Sequence, residues 1–122
     1  RLRQYQPDWS VNGLAQKAGV SALEDVGYLP LARKAVFSAK RYLSGELKAL
    51  GLGVAPSEAN FILIKVGDAP KWRSALLSKG IVVRDCTSFG LPEYIRVGIR
   101  PIEDCQRLAA AVAEVIQAAL AD

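Results

Sequence analysis

Arg84, which closes the run Ile81-Val82-Val83-Arg84, and Arg96, set inside Tyr94-Ile95-Arg96-Val97-Gly98-Ile99-Arg100, are the side chains best placed to do chemistry. Each stands in a β-branched stretch where a half-buried strand takes an apolar residue. A guanidinium is always charged and rarely buried unpaired, and its planar fork suits bidentate binding of carboxylate or phosphate. Two answers to that charge are open. Arg84 pairs with Asp85 or Glu93 and Arg96 with Asp104, or an acidic ligand meets both. Spacing alone puts the internal pairing first.

Other chemistries fall away on composition. The 122 residues contain no histidine, which removes the commonest general base and metal ligand and any histidine-based triad. No metal site is expected. The two cysteines, Cys86 and Cys105, are too few for a disulfide framework and form no CxxC pair, so they read as small reduced hydrophobes of a cytoplasmic protein. The net charge of +4 is spread among acidic residues rather than massed, which argues against a nucleic-acid partner. No apolar stretch reaches the length of a membrane span, so no membrane partner is expected.

A hydrophobic content of 51% is ample for one core at this length. Ser10 reads as the N-cap of a helix running to about Val26, with Val11, Leu14, Ala15, Ala18 and Ala22 at helical spacing. A longer helix after Pro30 carries the stripe Leu31, Ala35, Ala39, Leu43, Leu47 and Leu50, and Gly51 and Gly53 end it. Ala59 to Ile64 is a continuous apolar run, the pattern of a strand covered on both faces. Asp68 caps a third helix with Pro70 in its first turn, and Gly80 stops it. Ile81 to Arg84 is a second strand and Tyr94 to Ile99 a third, joined by a polar loop. Pro101 opens a final helix with Glu103 and Asp104 at its positive end and Leu108, Val112, Val115, Ile116 and Ala119 as its buried stripe.

These elements make an α/β fold of two layers, with about three strands in one sheet and four helices packed on it. Strand alternation then aims the arginines. Ile95, Val97 and Ile99 share one face, while Tyr94, Arg96 and Gly98 share the other, and Gly98 leaves open space beside Arg96. Arg84 leaves its strand on the face of Val82. The two guanidinium groups therefore converge at one cleft edge.

Asp8-Trp9-Ser10-Val11-Asn12, the leucine helix, Pro56-Ser57-Glu58-Ala59-Asn60-Phe61, Gly80-Ile81-Val82-Val83-Arg84-Asp85-Cys86 and Tyr94-Ile95-Arg96-Val97 occur in that order. The set resembles the C-terminal small domain of fold-type I pyridoxal-phosphate enzymes of the class I/II aminotransferase family, in the histidinol-phosphate aminotransferase branch. Trp9 and the stretch Arg84-Asp85-Cys86-Thr87-Ser88-Phe89-Gly90-Leu91 look most like L-threonine-O-3-phosphate decarboxylase of cobalamin biosynthesis. The resemblance implies that residues 1–27 continue from a large domain and that 28–122 form the small domain. The opening Arg1-Leu2-Arg3-Gln4-Tyr5 reads likewise as the tail of a helix, so the chain is expected to be a piece of a longer protein.

The resemblance further implies that Arg96 binds a substrate carboxylate and Arg84 the phosphate of a phosphorylated amino acid, with Asp85 orienting Arg84. Asn60 is a weaker candidate, expected to satisfy backbone groups at its strand's start. Pyridoxal 5'-phosphate is the cofactor implied for the full-length protein, a homodimer. The family's cofactor-bonding lysine lies in a serine/threonine-rich segment with no counterpart here; Lys79 follows Ser78 but closes a helix. No catalytic and no cofactor-binding residue is therefore expected in this chain, which alone should be inactive and bind no cofactor. A decarboxylase is the expected activity of the whole and a histidinol-phosphate or related aminotransferase the alternative. From other classes come a stand-alone anion-binding module and a structural domain whose arginines are paired internally.

Overall fold

A computed structural model describes residues 11–121. The helix tail expected at Arg1–Tyr5, Trp9 and the Ser10 cap lie outside the described residues. The chain divides into two compact units, residues 1–33 and 34–122.

In the first unit α1 covers Gly13–Glu24. Its cap is Asn12, two residues beyond the expected start, with Oδ1 accepting from the Ala15 N–H at 2.8 Å. Asparagine is as good an N-cap as serine, so composition alone did not choose between them. None of the α1 side chains is buried, and its expected apolar stripe, Leu14 included, is exposed. The next helix, α2, runs Tyr28–Ala49 and begins two residues before Pro30. A proline is tolerated in a first turn because the N–H it lacks has no intrahelical partner there. The Asp25 carboxylate accepts from the Tyr28 N–H at 3.1 Å in its place as a cap.

The second unit holds one four-stranded antiparallel sheet of order β1-β2-β4-β3, with β1 Gly53–Val54, β2 Phe61–Lys65, β3 Arg84–Asp85 and β4 Tyr94–Gly98. Helices α3, Ala69–Ser78, and α4, Ile102–Ala121, complete it. The fourth strand, β1, is the one the sequence did not show. It is two residues long, too short for any alternation, and it pairs Gly53 with Lys65 and Val54 with Ile64. The expected strand at Ile81–Arg84 shrinks to Arg84–Asp85. The cause is the end of α3: Gly80, at φ +74°, and Ile81 turn their N–H groups back to Leu77 and Leu76 at 2.9 Å each. That Schellman-type closure uses the Ile81 amide, so the ladder starts later.

The core joins three helices to one sheet face. Ala39, Leu43 and Leu47 of α2, Ala69 and Leu76 of α3, and Cys105, Leu108, Ala109, Ala111 and Val112 of α4 pack with Ile62, Ile64, Val83, Ile95 and Val97. Four packed helices were expected; α1 contributes none of these buried side chains. Burying a Leu or Ile stabilises by roughly 1.5–3 kcal/mol each, which holds β2 and β4 in register. Both cysteines are free and buried, and Cys105 lies within the apolar core. The opposite sheet face is different. Phe61 and Leu63 of β2 are only half-buried, so the strand expected to be covered on both faces is fully covered on one.

Candidate functional site

The half-open face of the sheet is where the arginines lie. In β4 the burial alternates as the sequence required, Ile95 and Val97 inside and Arg96 and Gly98 outside. In the chain leading into β3, Val83 is buried and Val82 is 79% exposed, which puts Arg84 on the open face with Arg96. The ladder then makes Arg84 and Arg96 direct cross-strand partners. Side chains so placed have Cβ atoms about 4.5–5.5 Å apart, and like charges there repel.

Each guanidinium rests on an aromatic ring rather than on a carboxylate. The Arg96 Cζ lies 5.2 Å from the centroid of Phe61, and the Arg84 Cζ lies 5.3 Å from that of Phe89. Both are within cation–π range, which stabilises by roughly 0.5–1 kcal/mol at exposed sites. The first contact follows from register. Phe61 stands opposite Gly98 and Arg96 opposite Leu63, so the ring reaches Arg96 on the diagonal. A Cβ on Gly98 would meet nothing within 4 Å, the open space expected beside Arg96. Arg84 gains one more contact, donating from Nη2 to the Ser88 hydroxyl at 3.2 Å.

The internal ion pairs expected from spacing do not form. Among the described residues Asp104 pairs with Arg100 at 3.2 Å and Arg107 at 3.7 Å, and Glu93 pairs with Lys65 at 3.5 Å. Asp85 does not orient Arg84 either. Its Oδ1 accepts from the Thr87 Oγ1 at 2.6 Å and the Thr87 amide at 2.8 Å, closing the 3-10 turn Thr87–Phe89 that carries Ser88 and Phe89. These hydrogen bonds, the hydroxyl first, hold the Asp85 carboxyl below its ordinary range, with the charges of Arg73 and Arg84 adding to the effect. Asp85 thus shapes the loop beneath Arg84 and touches the guanidinium only through space.

Arg84 and Arg96 line one cavity of about 590 Å³ with Asn60, Phe61, Arg73 and Gly98. Asn60 reaches it from a loop tied down by Lys40, which donates to the Ser57 carbonyl at 2.9 Å, and by the Ser57 hydroxyl, which donates to the Phe61 carbonyl at 2.6 Å. The Asn60 carbonyl accepts from the Ile99 amide at 2.8 Å, extending the β2–β4 pairing. Among the described residues no hydrogen bond engages its side chain, so the expected backbone-satisfying role falls to its main chain. Arg73 was missed because it sits on an exposed turn of α3, where an arginine resembles any solvated helix charge. Ser88 and Phe89 were missed as contacts because a loop carries no periodicity; the only signal was their closeness to Arg84.

Chemically the arrangement is able to hold an anion. Guanidinium groups arranged on a rigid ladder suit carboxylate and phosphoryl oxygens. No lysine lines the cavity, so its residues do not suit covalent attachment of an aldehyde cofactor, and no group of His, Cys, Asp and Glu able to hold a metal occurs among the described residues. No helix among the described residues is long and apolar enough to cross a membrane.

Comparison with known proteins agrees with the resemblance at the level of family. Residues 1–112 match the model of aminotransferase class I and II. A histidinol-phosphate aminotransferase of Symbiobacterium thermophilum is 43% identical over 115 residues, covering 93% of this chain and 31% of that protein. The histidinol-phosphate aminotransferase from Clostridium acetobutylicum superposes with a TM-score of 0.79 at 26% identity, over 90% of this chain and 35% of that one. A decarboxylase from Sulfurospirillum multivorans superposes with a TM-score of 0.73, also at 26% identity, over 88% of this chain and 33% of that one. The chain therefore spans about a third of the length of the relatives it matches. With a family model matched over residues 1–112, the chain belongs to the class I and II aminotransferases, whose members depend on pyridoxal phosphate.

Proposed function

We propose that this chain is the substrate-closing part of a histidinol-phosphate aminotransferase-type enzyme, and that Arg84 and Arg96 bind the anionic groups of a phosphorylated amine and its 2-oxo-acid co-substrate. The observation that carries the reading is the cross-strand pair itself: two directly opposed guanidinium groups with no carboxylate within salt-bridge distance among the described residues. A like-charged pair of this kind is destabilising unless an anion offsets it. Arg96, deeper on the ladder and stacked on Phe61, takes a carboxylate; Arg84, at the sheet edge beside Ser88, takes a phosphate. Asn60 contributes a side-chain amide at the other rim.

In the full-length protein, a homodimer by this reading and cytoplasmic, pyridoxal phosphate supplies the electron sink for the reaction. The residues of this chain do other work. They hold the substrate by its charged ends and fix its orientation, and the chain alone is not expected to catalyse. The curated histidinol-phosphate aminotransferase relative supports transamination over the decarboxylation of threonine phosphate expected from Trp9 and the 84–91 stretch. Trp9 lies outside the described residues. The 84–91 stretch serves here as a loop supporting Arg84, a role either activity can use, and a decarboxylase is among the solved structures similar to this chain.

The deciding assay uses full-length protein loaded with pyridoxal phosphate. Amino transfer from histidinol phosphate to 2-oxoglutarate without carbon dioxide release from L-threonine phosphate is the expected result. Carbon dioxide without amino transfer restores the decarboxylase. Neither activity, with phosphate still bound in the cavity, favours a separate anion-binding module.

A further inference from the structure

Three arginines, not two, line the 590 Å³ cavity, and the third comes from a different layer of the fold. Arg84 and Arg96 project from the sheet, whereas Arg73 belongs to α3, whose start is fixed by the Asp68 carboxylate accepting from the Lys71 N–H at 2.9 Å and by Pro70. Among the described residues Arg73, like Arg84 and Arg96, makes no ion pair, while the acids Glu93, Asp104 and Glu114 are all held by other cations. Asp85, next to Arg84 in sequence, directs Oδ1 to Thr87. The Thr87 hydrogen bonds hold its carboxyl below the ordinary range, with the charges of Arg73 and Arg84 adding to the effect.

The count matters because carboxylates and phosphates differ in shape and charge. A carboxylate is planar, carries one negative charge and is served by one bidentate fork. A phosphate monoester carries about −1.5 to −2 charges at neutral pH and three acceptor oxygens that do not lie in one plane with their donors. Two cations on one sheet face can approach such a group from one side only. Arg73 comes from α3, which packs on the other, buried face of the sheet, and so it reaches the cavity from another side.

Resting on the anion-binding reading of the cavity given above, we infer that Arg73 is its specificity-determining residue, the third cation that makes the cavity prefer a phosphoryl group to a carboxylate. The sheet pair supplies general anion affinity, and Arg73 supplies the discrimination. Its position on an exposed helix face means that replacing it disturbs no buried contact, so the effect is read on a folded protein.

The test is a thermal-shift titration of the full-length holoenzyme with inorganic phosphate and, separately, with acetate, since a ligand at free concentration L that binds only the folded state stabilises it by RT ln(1 + L/Kd) and so reports its Kd. Arg73→Gln is expected to weaken phosphate binding by about five- to tenfold, as loss of one charge-assisted contact implies, and to change acetate binding by less than about twofold. Arg73→Lys, which keeps the charge but loses the fork, should fall between. If Arg73→Gln leaves phosphate affinity unchanged while Arg84→Gln and Arg96→Gln weaken it, the role given to Arg73 is wrong and the anion site stands. Equal weakening of phosphate and acetate by Arg73→Gln overturns the discrimination. If none of the three variants alters phosphate binding, the anion reading of the cavity fails, and this inference fails with it.

Discussion

Two groups of arginines lie within a few residues of each other in sequence and have opposite fates. At the start of α4, Arg100 and Arg107 flank Asp104 at i−4 and i+3 and share its carboxylate. On the open face of the sheet, Arg84 and Arg96 face one another across the β3–β4 ladder with aromatic rings beneath them and no acid in pairing distance among the described residues. The first arrangement is a solvated surface network of small energetic weight. The second concentrates like charge with only aromatic faces, and no acid among the described residues, to offset it. Charge that a fold neutralises is structural; charge that it sets side by side and leaves open is available to a ligand.

The comparison breaks first at Arg96. Arg96→Gln should lower the affinity for anionic substrate by about thirtyfold, corresponding to roughly 2 kcal/mol for a hydrogen-bonded charge, measured as KM or as an inhibitor constant in the full-length protein. The same change should alter thermal stability without ligand by less than about 1 kcal/mol, because relief of a repulsive cross-strand pair offsets the lost cation–π contact with Phe61. A marked loss of stability would show that Arg96 is structural after all. Phe61→Leu keeps an apolar shelf but removes the ring face under Arg96, and about 0.5–1 kcal/mol of stacking should appear as a two- to fivefold weaker affinity.

The other group gives the smaller effects. Asp104→Asn should cost less than about 1 kcal/mol in chemical denaturation and leave substrate binding untouched, as expected of exposed pairs. A large binding defect there would move the site to the helix start. Asp85 supplies a pH signature. Its folded-state titration lies below the ordinary 3.8, so its contribution is present above that value and is lost as pH falls through the lower, folded one. Asp85→Asn should therefore lower stability near neutrality and flatten its fall below about pH 4, where the wild-type contribution is lost. An unchanged acid limb would show that the Thr87 contacts carry no net weight.

Much of this was legible because helices report their own geometry. The α2 residues Ala39, Leu43 and Leu47, the Asp68 cap with Pro70, and the acidic first turn of α4 all follow from spacing within one segment. Alternation in β4 likewise placed Arg96 and Gly98 on the face opposite Ile95 and Val97. The failures are non-local or too short to carry a period. β1 has two residues, β3 lost its expected start to the Schellman closure of α3, and the N-cap moved from Ser10 to Asn12 among equally good cap residues. At the site, the carboxylates nearest in sequence were the natural partners to expect for Arg84 and Arg96, yet Asp85, Glu93 and Asp104 were already engaged by Thr87, Lys65 and the α4 arginines.

By itself the sequence determined the four helices, the strands β2 and β4, the core residues Ala39, Leu43 and Leu47 of α2, and the side of β4 on which its arginine stands, because all of these rest on periodicities of 3.6 and 2 within single segments. Its ordered motifs also carried the family. Only the tertiary structure decided that Arg84 stands directly across from Arg96, that Phe61 lies under one guanidinium and Phe89 under the other, and that Arg73 reaches the same cavity from α3. Those are matters of register and of how a helix lies against a sheet. They are set by the packing of Ile62, Ile64, Ile95 and Val97 on the opposite face, not by any pattern in the residues that form the site.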